Sequence, residues 1–273
     1  MRISKGAVNR ILLSAFCLGC GLGAAGAAKK PRAAFVVVEV GSGEPRTLAE
    51  SGTEELAPVG SLLKPFAAWY LLEKGLDARQ TILCPAERKR EADLRCWTPE
   101  GHGAVNLGEA LVHSCNYFFL SLFRGQSIPQ FEIWMRERFQ WPENLRIEKP
   151  VHVYGYDLDS GIAVSRLVTM YARLLEASAV KNPHAALITD SLAGTWRGTL
   201  RDFCRLLGNQ KKYTFLWGKT GTVREGKHQY GIAVLHLKNN STGKKLLLLC
   251  YERRKTGSQA ALNALAVLQK YHP

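Results

Sequence analysis

Three short segments hold residue types that can move an acyl group. Ser61 lies in Pro58-Val59-Gly60-Ser61-Leu62-Leu63-Lys64-Pro65-Phe66, with Lys64 three residues on; Ser114-Cys115-Asn116 and Lys219-Thr220-Gly221-Thr222 follow. A serine hydroxyl is a weak nucleophile until a base comes within hydrogen-bond reach. A lysine serves only when neutral, and burial beside other cationic groups lowers its pKa. On this reading Ser61 is the nucleophile, Lys64 the base and Lys219 the neighbouring charge that depresses it. Ser114 relays the proton, and Asn116 holds Lys64 or a substrate amide. Lys219, Thr220 and Thr222 bind a substrate carboxylate, while Gly221 lets the substrate approach the strand backbone closely. The backbone N–H groups of Ser61 and Thr222 form an oxyanion hole, in which each donor contributes about 3–4 kcal/mol.

Each motif alone is weak. Ser-x-x-Lys recurs at Ser178 and Ser241, and Lys-Thr-Gly recurs at Lys255. Context selects among the copies. Leu62 to Lys74 is apolar nearly all round, carries Pro65 in its first turn and is closed by Gly75, which predicts a buried helix with Ser61 and Lys64 neighbours at its start. Leu107 to Val112 and Tyr117 to Phe123 read as helices on either side of Ser114-Cys115-Asn116. Tyr213 to Val223 reads as a strand carrying Lys219, with strands after it at Gly231 to Leu237 and Lys245 to Tyr251. The Lys255 copy has no strand after it and reads as a loop.

The rest of the chain supplies the frame. Ala33 to Val40 is a β-branched central strand and Arg46 to Glu50 a second, antiparallel one. Residues 78 to 103 read as a polar loop. Helices are predicted around Phe131 to Phe139, over Val164 to Ala179, over Thr199 to Leu207 and over Ser258 to Tyr271. Two strands, a helical middle, three strands and a last helix predict one five-stranded antiparallel sheet made from both ends of the chain, with a separate all-helical lobe. The 273 residues suit one sizeable domain, over 29–273. The formal net charge of +14 favours anionic partners such as a wall polymer or a lipid surface. Scattered basic residues and the lack of a nucleic-acid motif argue against nucleic-acid binding. Residues 1–28 read as a secretory signal peptide, with Arg2, Lys5 and Arg10 before an apolar run and Ala25-Gly26-Ala27 as the cleavage site. A retained membrane anchor, or lipidation at Cys20, are the alternatives. Either way an exported, periplasmic or cell-envelope protein is expected.

Taken together, the segments resemble the transpeptidase domain of penicillin-binding proteins, in the superfamily that includes the serine β-lactamases. Pro58 to Phe66 is similar to that family's nucleophile segment. Gly101-His102-Gly103, Asn106-Leu107-Gly108-Glu109-Ala110-Leu111 and Ser114 to Phe119 are similar to its second motif and approach, and Gly218 to Val223 to its third. The likeness runs over roughly residues 33 to 270. It implies a β-lactamase/transpeptidase-like α+β fold and an acyl-enzyme on Ser61, formed from D-Ala-D-Ala stem peptides of peptidoglycan with loss of the terminal D-alanine. It implies β-lactams as covalent inhibitors, cell-envelope proteins as partners and no cofactor for catalysis. The domain is short for that family, and no glycosyltransferase or dimerisation module is expected ahead of it. The Glu-x-x-Leu-Asn and Tyr-Gly-Asn elements of β-lactamases are missing, the second because Tyr154-Gly155-Tyr156 ends in Tyr. Efficient β-lactam hydrolysis is therefore not expected. D,D-transpeptidase is the leading reading. A D,D-carboxypeptidase, or a non-catalytic wall-binding or β-lactam-sensing module, stays open.

Five cysteines follow the leader. Cys84 and Cys96 lie in one loop of an exported protein and could form a disulfide. Joined by His102 and Cys115, they are instead a structural zinc set of three Cys and one His, at spacings that match no compact zinc motif. Cys204 and Cys250 read as core residues. His113 reads as a packing residue beside Ser114 and His228 as a turn residue. Arg88-Lys89-Arg90 and Arg253-Arg254-Lys255 read as solvated faces, and Asn240-Ser241-Thr242 as a hairpin turn.

Overall fold

The computed structural model describes residues 33–41, 44–89, 95–158 and 160–271. The leader expected over residues 1–28 and Arg90 of the basic cluster lie outside them. Among the described residues no helix is long and apolar enough to cross a membrane.

Strands β1 (Ala33–Val40) and β2 (Arg46–Ser51) enter first, followed by the two-residue β3 (Leu56–Ala57). A 3-10 turn, Gly60–Leu63, runs into α1 (Lys64–Glu73). The apolar helix expected from Leu62 thus begins two residues later, and Ser61 sits in the tighter turn ahead of it. Gly75 closes the helix at φ 89°. The region expected to be all loop contains β4 (Ile82–Cys84) and β5 (Gly103–Val105), paired antiparallel so that Cys84 lies opposite Gly103. Next come α2 (Leu107–Val112) and α3 (Asn116–Phe123). Asn106 and Glu109 close a capping box on α2, satisfying two amides its first turn would leave bare. The lobe continues with α4 (Ile128–Phe139), β6 (Ile162–Ala163), α5 (Val164–Ala179) and α6 (Pro183–Ala193). Helix α6 was not expected. Asn182 caps it by accepting from His184 N and Ala185 N, ahead of Pro183. Helix α7 (Arg201–Gln210) leads into β7 (Tyr213–Glu225), β8 (His228–Asn239), β9 (Lys245–Arg253) and α8 (Gly257–Tyr271).

The five long strands form one antiparallel sheet in the order β2-β1-β9-β8-β7. Both ends of the chain therefore build it, as the strand count predicts. One apolar layer lies between the sheet and α7 and α8, through Phe203, Leu207, Ala260 and Leu268. The larger layer joins the other face to the helical lobe and takes in nearly all of α1. Phe66 lies edge-on to Phe139 at 4.7 Å and to Tyr171 at 5.2 Å. A helix buried on every side fixes its first turn more firmly than one lying on a surface, which matters for Ser61 and Lys64. Asn239 Oδ1 accepts from Ser241 N and Thr242 N, making the hairpin turn expected there.

Candidate active site

The turn that carries Ser61 is held on three sides. The Tyr171 hydroxyl on α5 donates to Leu62 O at 2.8 Å. Gly60 N donates to Gly155 O at 3.1 Å. The Ser61 carbonyl accepts from Lys64 N. Gly60 has φ 53°, and a Cβ there would stand 2.8 Å from Val223 Cγ2. Only glycine takes that conformation at that distance without strain. On the facing strand, a Cβ on Gly221 would stand 3.0 Å from Val59 O and 3.4 Å from Ser61 N. Gly221 therefore lets the Ser61 turn press against β7.

Ser114 follows α2 in the left-handed region, at φ 56°. That conformation is uncommon for a residue with a Cβ, and it swings the hydroxyl between two lysines. Lys64 Nζ donates to Ser114 Oγ at 3.1 Å, to Ser114 O at 2.6 Å and to Asn116 Oδ1 at 2.5 Å. Lys219 Nζ donates to the same Ser114 Oγ at 2.8 Å and to Thr220 O at 2.8 Å. The structure thus brings Lys64, Ser114, Asn116 and Lys219 together. Ser61 adjoins them on the same turn, half-buried, but its hydroxyl is not among the acceptors of Lys64. Lys64 Nζ thus has three oxygens within hydrogen-bond reach.

Both lysines are fully buried. Burial pulls Lys64 down to about 8, against the negative charge of Cys115 and Cys96. Lys219 falls well below its ordinary value, first through burial and then through the charge of Lys64. The repulsion between the two is mutual, so charge on either disfavours charge on the other. Physically the two amines compete for one proton across a shared hydroxyl. The rings of Tyr154 and Phe119 lie 5.5 Å and 6.0 Å from Lys64 Nζ and favour its charged form. Tyr154, Phe119 and Tyr171 were missed as site residues. Tyr154-Gly155 had been noted only as an incomplete motif, and the Tyr171 contact spans 109 residues of sequence.

Thr220 and Thr222 face α8. The second Lys-Thr-Gly copy is a loop at Lys255 and Thr256, as expected, and runs into α8 at Gly257, whose N–H donates to Thr222 Oγ1 at 2.9 Å and so braces the first copy. His113 is not placed as a base. Its carbonyl accepts from Trp97 Nε1 at 3.1 Å, and burial followed by the charge of His102 lowers its pKa. His228 opens β8 at the surface. Cys250 is buried, whereas Cys204 is only half-buried.

Behind Ser114, four ligand atoms converge. Those of Cys84, Cys96, His102 and Cys115 all lie within 4.8 Å of one another. His102 Nδ1 is 3.4 Å from Cys96 Sγ and 3.6 Å from Cys84 Sγ, and Cys96 Sγ is 3.9 Å from Cys115 Sγ. A tetrahedral ion with ordinary zinc bond lengths sets sulfur–sulfur edges of about 3.8 Å and nitrogen–sulfur edges of about 3.6 Å. The cluster fits a metal. Cys84 is an unbridged thiol, so the alternative Cys84–Cys96 disulfide is not formed. His102 is held above its ordinary pKa: burial opposes this, and the sulfurs of Cys96 and Cys84 overcome it.

This fold is that of the penicillin-binding transpeptidase domains and serine β-lactamases. The structure superimposes on Pseudomonas aeruginosa PBP2 with a TM-score of 0.66, covering 89% of this chain and 71% of that one at 15% identity. It superimposes on the C-terminal domain of the Bacillus licheniformis BlaR penicillin receptor at 0.64, covering 88% and 90% at 17% identity. In sequence, 102 residues are 34% identical to the peptidoglycan D,D-transpeptidase MrdA of Acinetobacter baumannii, which is 36% of this chain and 15% of that protein. The match thus spans under one sixth of that relative's length. No family model matches the chain.

Proposed function

We propose that this protein is a penicillin-binding serine acyltransferase of the cell envelope, acting as a D,D-transpeptidase on D-Ala-D-Ala stem peptides. The observation that carries the reading is the Ser114 hydroxyl held between Lys64 Nζ and Lys219 Nζ, one turn from Ser61. Burial brings Lys64 to about 8, so a fraction of it is neutral near pH 7. Its amine then takes the Ser61 proton as Oγ bonds to the scissile carbonyl carbon. The resulting oxyanion is received by the N–H groups of Ser61 and Thr222, which the close approach of Gly60 and Gly221 sets near each other. Collapse breaks the C–N bond, and the D-alanine amine leaves with a proton passed through Ser114. An acceptor amine then attacks the Ser61 ester. Lys219 on the β7 edge would hold the substrate carboxylate. Labelling with a fluorescent penicillin tests the acyl-enzyme, with Ser61→Ala as the blank. A stem peptide given with an amine acceptor then separates a transpeptidase, which yields cross-linked product, from a D,D-carboxypeptidase, which yields only the trimmed peptide.

One observation favours a second reading. Lys64 spends its hydrogen bonds on Ser114 and Asn116 and none on Ser61, as suits a domain that acylates slowly and senses β-lactams. Stoichiometric labelling without turnover of stem peptide would select it.

The Cys84, Cys96, His102 and Cys115 cluster is proposed as a structural zinc site, with no part in the bond-making steps. Cys115 lies between Ser114 and Asn116. A metal there would fix the backbone from which both reach Lys64.

A further inference from the structure

The outer face of α7 and the turn before it carries residues the site does not use. Phe203 and Leu207 turn inward to the sheet. Trp196 is 54% exposed and Leu206 40% exposed, both unusual for side chains of that size. Trp196, Arg201, Cys204, Arg205 and Phe215 line a slot of about 400 Å³. From residue 194 to 215 the chain has five basic residues, Arg197, Arg201, Arg205, Lys211 and Lys212, against Asp202 alone. Asp202 lies 3.6 Å from Arg205 and is itself exposed.

We propose that this face docks on an anionic phospholipid surface. The argument is the pairing of chemistries. A wall polymer or an acidic peptide would satisfy the guanidinium groups but offer little to an exposed indole and leucine. A bilayer interface takes both at once: tryptophan seats at the headgroup level while arginines bind phosphates and lay their stems along the apolar surface. Helix α7, apolar inside and basic outside, lies flat on such a plane without unfolding. A Cβ on Gly194, at the start of this turn, would stand 2.9 Å from Val112 Cγ2, so the face adjoins the segment that holds Ser114. Docking would therefore set the cleft beside the membrane surface. The inference does not depend on which acyl acceptor the site uses.

The test is sedimentation of the full chain with vesicles of phosphatidylcholine, alone or with roughly one third phosphatidylglycerol; each basic residue near such a surface contributes about fivefold in partitioning. Arg201→Ser with Arg205→Ser should lower partitioning onto the anionic vesicles about 25-fold and leave the zwitterionic value unchanged. Wild type and variants share one amino terminus, so any affinity of that segment cancels. Trp196→Phe should lose most of the tryptophan quenching given by brominated phosphatidylglycerol. Arg79→Ser with Lys149→Ser removes the same charge from other surfaces and should change partitioning much less. Unchanged melting temperatures establish that the variants are folded. The proposal is overturned if the α7 variants partition like wild type, which would leave the face to a protein partner. It is also overturned if the control pair falls as far, which would make the effect one of net charge alone.

Discussion

Acylation of Ser61 should follow the deprotonation of Lys64, and the structure gives the size of the effect. Burial brings that amine to about 8. The neutral fraction is then about one tenth at pH 7, one half at pH 8 and nine tenths at pH 9. The second-order rate of labelling by a fluorescent penicillin should therefore rise about tenfold from pH 7 to pH 9 and fall about tenfold per unit below pH 7. Rates are read from gel band intensities at constant ionic strength, with Ser61→Ala subtracted. Lys64→Arg keeps the charge and cannot give up its proton, so labelling should drop by about 10²–10⁴-fold. Ser114→Ala should slow labelling at every pH, because it removes the hydroxyl through which the two amines exchange their proton. A rate flat between pH 6 and 9, or a Lys64→Arg variant within a few-fold of wild type, would refute the assignment of the base.

Three further outcomes follow from the packing. Zinc-replete protein should carry one zinc per chain by elemental analysis, and Cys115→Ser should lower zinc affinity more than tenfold, since even outer partners of a metal site cost 10–100-fold; a zinc-free wild type would count against the site. His236 is buried, with neither ring nitrogen hydrogen-bonded among the described residues, and burial followed by the charge of Lys245 brings it to about 4. Its folded pKa lies below the unfolded value, so its stabilising share is full above about pH 6.5 and is lost as pH falls towards 4, amounting to about 2.5 kcal/mol at pH 4.5. Urea midpoints of His236→Leu should lack that share of the pH dependence, and an identical dependence in wild type and variant would sink it. Tyr171→Phe should cost about 1 kcal/mol in urea unfolding and slow penicillin labelling as well, because the lost bond is to Leu62 O; unchanged labelling would mean that the turn is held without it.

What was legible in the sequence was whatever is local. The β-branched run became β1, the leucine run became β9, and the apolar stretch after Ser61 became α1, because composition over eight or more residues decides burial there. The three-residue strands β4 and β5 have too little pattern to read; they pair antiparallel, with Gly103 opposite Cys84. Helix α6 carried its signal in Asn182-Pro183 and could have been found from the cap. The site divides the same way. Residue types at fixed spacing named Ser61, Lys64 and Lys219. That Ser114 takes a left-handed backbone, that Thr222 faces α8, and that Lys64 turns to Asn116 go with contacts 35 to 52 residues apart, which no spacing encodes. The zinc set was readable as residue types, while its geometry depended on how β4 and β5 fold back beside α3.

The burial of two lysines explains why so much of the chain is spent on holding them. A fall from 10.5 to about 8 in Lys64 means that burial disfavours its charged form by about 3 kcal/mol. Lys219 adds to this. A loose pocket would relieve that penalty by admitting water or letting the amines part, and the pKa depression needed for catalysis would vanish with it. The surroundings prevent both. Phe119 is fully buried with its ring 6.0 Å from Lys64 Nζ, Phe66 and Tyr171 are fully buried against each other, and Ser114 is pinned between Leu111 O, which accepts from its N–H at 3.3 Å, and the turn at Cys115, whose N–H donates to Ala110 O at 2.8 Å. Cys115 belongs in turn to the sulfur cluster. The strained Ser114 backbone is thus fixed from behind by the residues proposed to hold metal. Loosening that cluster by Cys84→Ser, which leaves the charges of Cys115 and Cys96 beside Lys64 in place, should raise the pKa of Lys64 towards 10.5 and shift the labelling profile to higher pH. Simple unfolding would instead scale the rate down at every pH, so the profile of Cys84→Ser separates the two.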